Sequence, residues 1–129
     1  MEAAKQVIRW VLFLGCIAFG LLALNGAFAA WWVSWGPPTD YPAAWEQEAI
    51  RRLGISISLL FTGPMAFVAM KPEFSFRKSK FKFVWALVVL VSLAYSPVRA
   101  FIQKDACLDA GGSWKEGYFV CEYEQSHNK

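Results

Sequence analysis

The feature that most constrains this chain is a long stretch without charge near its start: no Asp, Glu, Lys or Arg occurs from Trp10 to Thr39. The runs from Leu53 to Met70 and from Phe83 to Val98 are also free of charge, over 18 and 16 residues. An α-helix rises about 1.5 Å per residue, so about 20 apolar residues cross a bilayer core about 30 Å thick. The three runs therefore predict three membrane-spanning helices.

A soluble protein with three buried helices is the alternative, but too little polar sequence remains to cover such a core. Only 18% of the residues are charged, against about a quarter in an ordinary soluble domain. The third run is short unless Lys82 and Arg99 extend to the two membrane surfaces. We predict an all-α membrane protein with three transmembrane helices, a short outer helix and a small disulfide-closed C-terminal hairpin. The spans are placed at about 8–33, 53–70 and 82–98 within a membrane domain 1–106, followed by a tail 107–129.

The first span has a rival interpretation as a cleaved secretory signal. Lys5 and Arg9 precede an apolar stretch that ends in small residues, and cleavage after Ala29 would leave two spans. The apolar character continues through Ala30 to Val33, as it would in a retained span. We therefore favour retention, with cleavage of residues 1–29 as the alternative.

The loops on either side of the second run differ in charge, and basic residues collect in cytoplasmic loops. The loop 71–81, with its neighbour Lys82, carries one acid, Glu73, and five basic residues: Lys71, Arg77, Lys78, Lys80 and Lys82. The outer loop 34–52 is acidic until it reaches Arg51 and Arg52, three and four residues after Glu48, their predicted partner. This pattern predicts a cytoplasmic N-terminus, a cytoplasmic basic loop and an external C-terminus.

Cys107 and Cys121 enclose thirteen residues of this external tail, among them Gly111 and Gly112. Disulfides persist in oxidising compartments, and a bridge closing a loop of this size contributes about 3 kcal/mol. The alternatives are a metal site, which lacks four ligands, and a redox pair, which usually has the spacing Cys-x-x-Cys. We predict a structural disulfide, and an apolar role for Cys16.

Small and polar residues inside the spans predict helix packing. Gly54, Ser58, Thr62 and Ala66 form one stripe along the second span, which lets helix backbones approach closely. Packing within the three spans is favoured over a face for a partner. Asn25 is the one amide at membrane depth, and we expect it to hydrogen-bond to another span.

The outer loop should form a helix that runs directly into the second span. Asp40 is expected to cap this helix, with Pro42 in its first turn. Three tryptophans before it suit the membrane interface: Trp31, Trp32 and Trp35. On the other side, the alternating Phe and basic residues of 74–83 favour contact with membrane lipid over nucleic acid.

The sequence contains no nucleotide-binding loop, metal-ligand cluster or catalytic triad, and its one histidine, His127, is three residues from the end. No charged side chain lies at the centre of a span, which argues against a proton relay or an ion-coupled transporter. We therefore predict a non-enzymatic protein without cofactor or metal.

The segment from Cys107 through "GGSW" (111–114) to Cys121 resembles a cysteine hairpin of small exported bacterial proteins. The overall plan resembles small inner-membrane immunity proteins, which protect against colicins or secreted interbacterial toxins, in size, span number and orientation alone. The resemblance implies a multi-pass protein of the bacterial inner membrane, and the charge pattern then places the N-terminus in the cytoplasm and the C-terminus in the periplasm.

The leading hypothesis is a membrane protein that binds another protein at the periplasmic face, most concretely an immunity protein that neutralises a membrane-acting toxin. The predicted partner contacts are Trp45, Glu46, Glu48, Trp114, Lys115, Tyr118 and Phe119. Packing of the aromatic residues onto the membrane or onto each other is the alternative interpretation of these side chains.

Two other functions stay open. A small accessory subunit of a larger envelope complex would use the stripe from Gly54 to Ala66 as its docking face. An oligomeric channel or carrier is weakened by the lack of charge inside the spans. Self-association in a homo-oligomer is also open.

Overall fold

The computed structural model describes residues 2–36, 40–71 and 80–123, which form three long helices and a hairpin. The elements are α1 (Glu2–Trp35), α2 (Pro42–Ala69), α3 (Phe81–Asp109), β1 (Ser113–Lys115) and β2 (Val120–Glu122). Each helix is long and apolar enough to cross a membrane. The three predicted helices and the disulfide-closed hairpin are confirmed.

The predicted short outer helix and the second span are one continuous helix, α2. It begins at Pro42, as expected, but its N-cap residue is Tyr41, which makes no side-chain capping hydrogen bond. The prediction that Asp40 caps the helix is therefore wrong. Because Pro42 occupies the first helical position and the N-cap directly precedes it, Asp40 stands one residue too early.

The third helix continues well past the end of its apolar run. Beyond Pro97 the chain turns polar, yet α3 stays helical to Asp109 because residues 98–109 lack glycine and proline. The helix ends where Gly111 adopts φ of 75°, in the left-handed region. The amide of Gly112 then donates to the carbonyl of Cys107 at 2.9 Å and that of Gly111 to Leu108 at 3.0 Å, which is a Schellman motif.

The helix α2 is central, and α1 packs along one side of it through small residues. The Ser56 hydroxyl donates to the carbonyl oxygen of Gly20 at 2.8 Å. A Cβ built on Gly63 would lie 3.0 Å from Cβ of Cys16, so the two helices leave little free space between them. The interface continues toward the hairpin through three buried alanines: Ala27, Ala30 and Ala49.

The other side of α2 contacts α3 through Gly54, where a Cβ would overlap the backbone carbonyl oxygen of Ser92. Gly54 and Ser58 of the predicted stripe are buried, whereas Thr62 and Ala66 are half-buried. The Ser58 and Thr62 hydroxyls bond carbonyls of their own helix, at 2.9 and 2.7 Å. Gly54, at one end of the stripe, is therefore occupied by α3.

Asn25 lies elsewhere than the sequence predicts. Its side chain is exposed and, within the described residues, makes no hydrogen bond to another helix. The reason is its position on α1, since the buried residues Gly20, Ala27 and Ala30 occupy the opposite face of the helix. The sequence identified a polar residue at membrane depth but not the direction in which it points.

The N-terminal end of α1 meets the C-terminal end of α2 in an aromatic cluster. The guanidinium of Arg9 lies 3.6 Å from the centroid of the Phe67 ring. Trp10 and Phe13 pack against the same ring, with centroids 4.8 and 5.1 Å away. The predicted basic loop lies mostly in 72–79, outside the described residues, as does His127 in the tail.

Candidate functional site

The hairpin end of the molecule, defined by the strands β1 and β2 and the adjoining parts of α2 and α3, brings most of the predicted contact residues together. The strands are antiparallel, with Trp114 opposite Cys121. The turn between them is closed by the amide of Phe119, which donates to the carbonyl of Lys115 at 2.9 Å. Phe119 has φ of 52°, an uncommon conformation for a bulky residue.

The disulfide fixes the base of this hairpin to α3. Cys107 is buried in the last turn of the helix and bonds to Cys121 in β2, with their Cα atoms 5.7 Å apart. Gly112 passes so close that a Cβ there would overlap the sulfur of Cys121. Only glycine therefore fits between the helix end and β1, which gives a packing reason for the Gly-Gly sequence.

Two further contacts hold the tip of the hairpin. Lys104 of α3 forms an ion pair with Glu116 at 2.5 Å, and this hydrogen bond lowers the pKa of Glu116. The ring of Tyr118 stacks on Tyr41, with centroids 4.2 Å apart and planes 12° from parallel. A hydrogen bond with Tyr118 raises the pKa of Tyr41. The hairpin is thus joined to the start of α2 as well as to α3.

Next to the hairpin, a polar cluster of four residues joins α2 to α3: Glu46, Gln47, Ser96 and Arg99. The buried amide of Gln47 donates to the backbone carbonyl of Ser96 at 2.8 Å and to its hydroxyl at 3.0 Å. Arg99 donates to Gln47 at 3.2 Å and to the carboxylate of Glu46 at 2.6 Å. These bonds satisfy groups that would be costly to leave unpaired at a helix interface.

Glu48 pairs with both arginines of α2, as its spacing predicts. Its carboxylate accepts hydrogen bonds from Arg51 at 2.8 and 2.7 Å and from Arg52 at 2.7 Å. Arg52 also reaches α1, because a Cβ on Gly26 would lie 2.7 Å from one of its guanidinium nitrogens. The two acidic residues predicted as partner contacts, Glu46 and Glu48, are therefore both bound to arginines of this chain.

The aromatic residues among the predicted contacts differ in accessibility. Trp45 and Tyr118 are exposed, at 40% and 44%, whereas Trp114 and Phe119 are half-buried. Trp114 meets Phe119 edge to face, with centroids 6.2 Å apart. Lys115 is exposed and lies 3.5 Å from Glu122 across the hairpin. Tyr118 and Lys115 are thus the accessible members on the hairpin, and Trp45 the accessible member on α2.

Two clefts flank α2 beside the hairpin. One, of about 520 Å³, lies between α2 and α3 and brings Glu48 and Phe119 to a common surface with Pro97. The other, of about 270 Å³, lies between α1 and α2 and is lined mainly by apolar groups, with Glu46 at its polar side. The second cleft contains Trp31 and Trp35 from α1. The hairpin contributes Phe119 to the lining of the first cleft, whereas the lining of the second comes from α1 and α2.

Six residues that shape this region were not among the predicted contacts: Tyr41, Gln47, Ser96, Arg99, Lys104 and Glu116. The sequence offers one signal for them, since Ser96 and Arg99 stand beside Pro97 at the end of the third apolar run, where polar groups can reach the membrane surface. Nothing in the linear spacing pairs residue 47 with residue 96.

The arrangement contains no evident catalytic chemistry in the part of the chain that the structure describes. Within residues 2–36, 40–71 and 80–123, no three His, Cys, Asp or Glu side chains are grouped so that they could hold a metal ion. The side chains of Gln47, Glu48 and Arg99 are among those at the hairpin end that pair with other groups of this chain. Neither a known protein family nor a curated protein nor a solved structure matches this chain.

Proposed function

We propose that this chain is a non-enzymatic membrane protein that binds another protein at its hairpin end, most concretely an immunity protein that neutralises a membrane-acting bacterial toxin. The observation that carries the proposal is the fixation of the hairpin. A segment of about ten residues is held by a disulfide, by the Lys104–Glu116 ion pair and by the Tyr41–Tyr118 stack. A surface ordered before binding loses less conformational entropy on association.

The chemistry of the accessible residues supports protein recognition. Tyr118 and Trp45 offer aromatic surface, and Tyr and Trp are enriched among the residues that dominate binding energy at interfaces. Lys115 is exposed on the hairpin, and its 3.5 Å ion pair with Glu122 is longer than the arginine pairs of Glu46 and Glu48, at 2.6 and 2.7 Å. The contacts we assign are therefore Tyr118, Lys115 and Trp45, with Trp114 and Phe119 supporting the hairpin from within.

In the proposed orientation, the hairpin end faces the periplasm and the basic loop faces the cytoplasm. The cystine supports this orientation because disulfides persist on the oxidising side of a membrane. The clefts beside α2 would then lie near the periplasmic surface, where apolar helices of a toxin enter the bilayer. We propose that they bind such helices while the hairpin blocks further insertion or pore opening.

The test is protection of sensitive bacteria. Cells that express this protein are challenged with the product of the gene beside its own, which the hypothesis assigns as a membrane-acting toxin. Survival should rise with the native protein. With Tyr118→Ala, about ten times more of this protein should be needed in the membrane for the same survival. That is the effect of losing about 1.4 kcal/mol at an interface. Membrane levels of each variant are measured by immunoblot.

The matched control is Tyr95→Ala, which removes an exposed tyrosine ring from α3 away from the hairpin. It should protect as the native protein does. Unchanged survival with the native protein would remove the immunity function. If Tyr118→Ala and Tyr95→Ala reduce protection equally, the hairpin is not the binding surface.

An accessory subunit of an envelope complex remains the alternative proposal. The docking face suggested for it, from Gly54 to Ala66, is packed against α3 at Gly54. This function would therefore need another lipid-facing surface. Comigration of the protein with a larger complex in native gels, together with unchanged toxin sensitivity, would favour it.

A further inference from the structure

The helix α1 carries a polar group that its own fold leaves unpaired. Asn25 is exposed and makes no side-chain hydrogen bond within the described residues. It stands about 22 Å along the helix from Trp10 and about 15 Å from Trp35, inside a charge-free stretch. In hydrocarbon no water is available, so an unpaired amide at this depth is unfavourable.

The residues around Asn25 follow a heptad spacing. Alternating steps of four and three residues place the following along one line: Val11, Gly15, Ala18, Leu22, Asn25, Ala29 and Trp32. A repeat of 3.5 residues is the spacing by which two helices keep one seam in contact. We call these seven residues the Asn25 seam.

A second line of the same spacing runs alternately two residues and one residue ahead of the first, and it is the side of α1 that α2 already covers. It contains Phe13, Cys16, Gly20, Ala23, Ala27 and Ala30, of which Gly20, Ala27 and Ala30 are buried. This alternating offset averages about 150° around a helix, and so the Asn25 seam faces away from α2. Its members are exposed except Gly15, and a Cβ on Gly15 would meet nothing within 4 Å.

We propose that the Asn25 seam is a self-association surface, through which two copies of this chain pair side by side in the membrane. Copies of one protein insert in the same direction and can pair about a twofold axis along the membrane normal. Each residue of the seam then faces the same residue of the other copy at the same depth. An amide is both donor and acceptor, and two Asn25 side chains can therefore satisfy each other. The small residues Gly15, Ala18 and Ala29 let the backbones approach closely.

A second copy fits this seam because it carries its own Asn25 at the same depth, and so no other protein with a matching polar group is needed. Asn at a single seam position also fixes register and the number of helices in coiled coils. The surface lies on the far side of α1 from α2 and α3. Pairing therefore leaves the clefts beside α2 open, and this inference does not rest on the proposed function.

The experiment uses the full chain labelled with donor or acceptor dye through a C-terminal tag, in vesicles of phosphatidylethanolamine and phosphatidylglycerol. Energy transfer should rise with the ratio of protein to lipid and fall when unlabelled chain is added. Asn25→Leu should weaken self-association by about three- to twentyfold, the range measured for interhelical hydrogen bonds in membranes. Asn25→Gln should retain more of it than Asn25→Leu, and Ala18→Leu should weaken it by crowding the seam.

The matched control is Phe28→Ala, which changes an exposed residue of α1 about a quarter turn from the seam and should leave energy transfer unchanged. Circular dichroism of each variant checks that the helices remain. The proposal fails if the native chain shows no energy transfer, or if Asn25→Leu associates as tightly as the native chain. A photo-crosslinker at position 25 that captures a different protein, with no transfer between copies, would also overturn it.

Discussion

The two sides of α2 are packed by different means. Toward α1 the contact is made of small residues along most of the helix, with Ser56 donating to the backbone of Gly20. Toward α3 a close approach at Gly54 is followed, at the hairpin end, by the polar cluster of Glu46, Gln47, Ser96 and Arg99. The α1–α2 interface depends mainly on close packing. The α2–α3 interface depends on close packing at Gly54 and on hydrogen bonds near the hairpin.

The difference follows from the position of each contact along the helix. Lipid tails are as apolar as leucine, so helices associate inside a bilayer through close packing and hydrogen bonds rather than through the hydrophobic effect. Charged groups are costly at the centre and far less costly near the surface. The polar cluster accordingly lies where Pro97 and Arg99 end the third apolar run.

The largest effect should come from filling the close approach between α2 and α3. Gly54→Leu places a side chain where the Ser92 carbonyl already lies, and backbone atoms cannot move aside as a flexible side chain can. We expect the free energy of unfolding in detergent to fall by about 3 kcal/mol or more. Gly117→Leu is the control: a Cβ on Gly117 meets nothing within 4 Å, and stability should change by about 0.5 kcal/mol or less. Equal stability of both variants would contradict the α2–α3 contact.

A smaller loss should follow when the polar cluster is broken. Arg99→Met removes the bonds to Glu46 and Gln47, which should lower the free energy of unfolding by about 1–2 kcal/mol because the cluster is only partly exposed. Arg51→Met is the same substitution at an arginine whose partner among the described residues is Glu48 of its own helix, and should cost about 0.5 kcal/mol or less. If the two variants unfold alike, the cluster does not hold α3 to α2.

The hydrogen bond between α1 and α2 should contribute less again. Ser56→Ala removes the donor to Gly20 and should lower the free energy of unfolding by about 0.6 kcal/mol, the average for such bonds in membranes. Ser58→Ala is matched, since that hydroxyl bonds within its own helix, and should change stability little. If Ser56→Ala changes stability no more than Ser58→Ala does, shape alone holds α1 against α2.

The smallest effect should be a pH dependence of the hairpin. Lys104 lowers the pKa of Glu116 from its ordinary value of 4.5, so the ion pair stabilises the folded hairpin fully above that value. The stabilisation should be lost as the pH falls through the lowered pKa, and the protection of hairpin amides, corrected for the intrinsic pH dependence of exchange, should fall there. Lys104→Met should remove this pH dependence, whereas a dependence that persists in the variant would assign it to another group.

Much of the fold follows from the sequence because it depends on local composition. Three charge-free runs are enough to predict three helices, since a bilayer requires length and apolar character. Cys107 and Cys121 were predicted to form a bridge because the charge pattern puts the tail on the oxidising side and the pair fits neither a metal site nor a Cys-x-x-Cys redox motif. The pairing of Glu48 with Arg51 and Arg52 depends on helical spacing alone.

The candidate site was predicted less completely. Tyr118 was identified as a contact residue, but its stacking on Tyr41 joins residues 77 positions apart, and no local pattern encodes such a contact. Glu46 was predicted to contact another protein. Its ion pair with Arg99 was missed because Arg99 lies on another helix, and sequence spacing does not pair residues of different helices. The α3 extension beyond Pro97 was missed because the prediction ended the helix with the apolar run.

The sequence by itself determined that the chain forms three apolar helices followed by a cystine-closed hairpin, because helix formation and span length depend on neighbouring residues. Only the tertiary structure decided which face of each helix is covered. It directs Gly54 to α3 and Ser56 to α1, and it leaves Asn25 facing away from both. The physical reason is that the rotation of one helix against another is set by the fit of side chains and hydrogen bonds across the interface, which residue spacing along one chain does not specify.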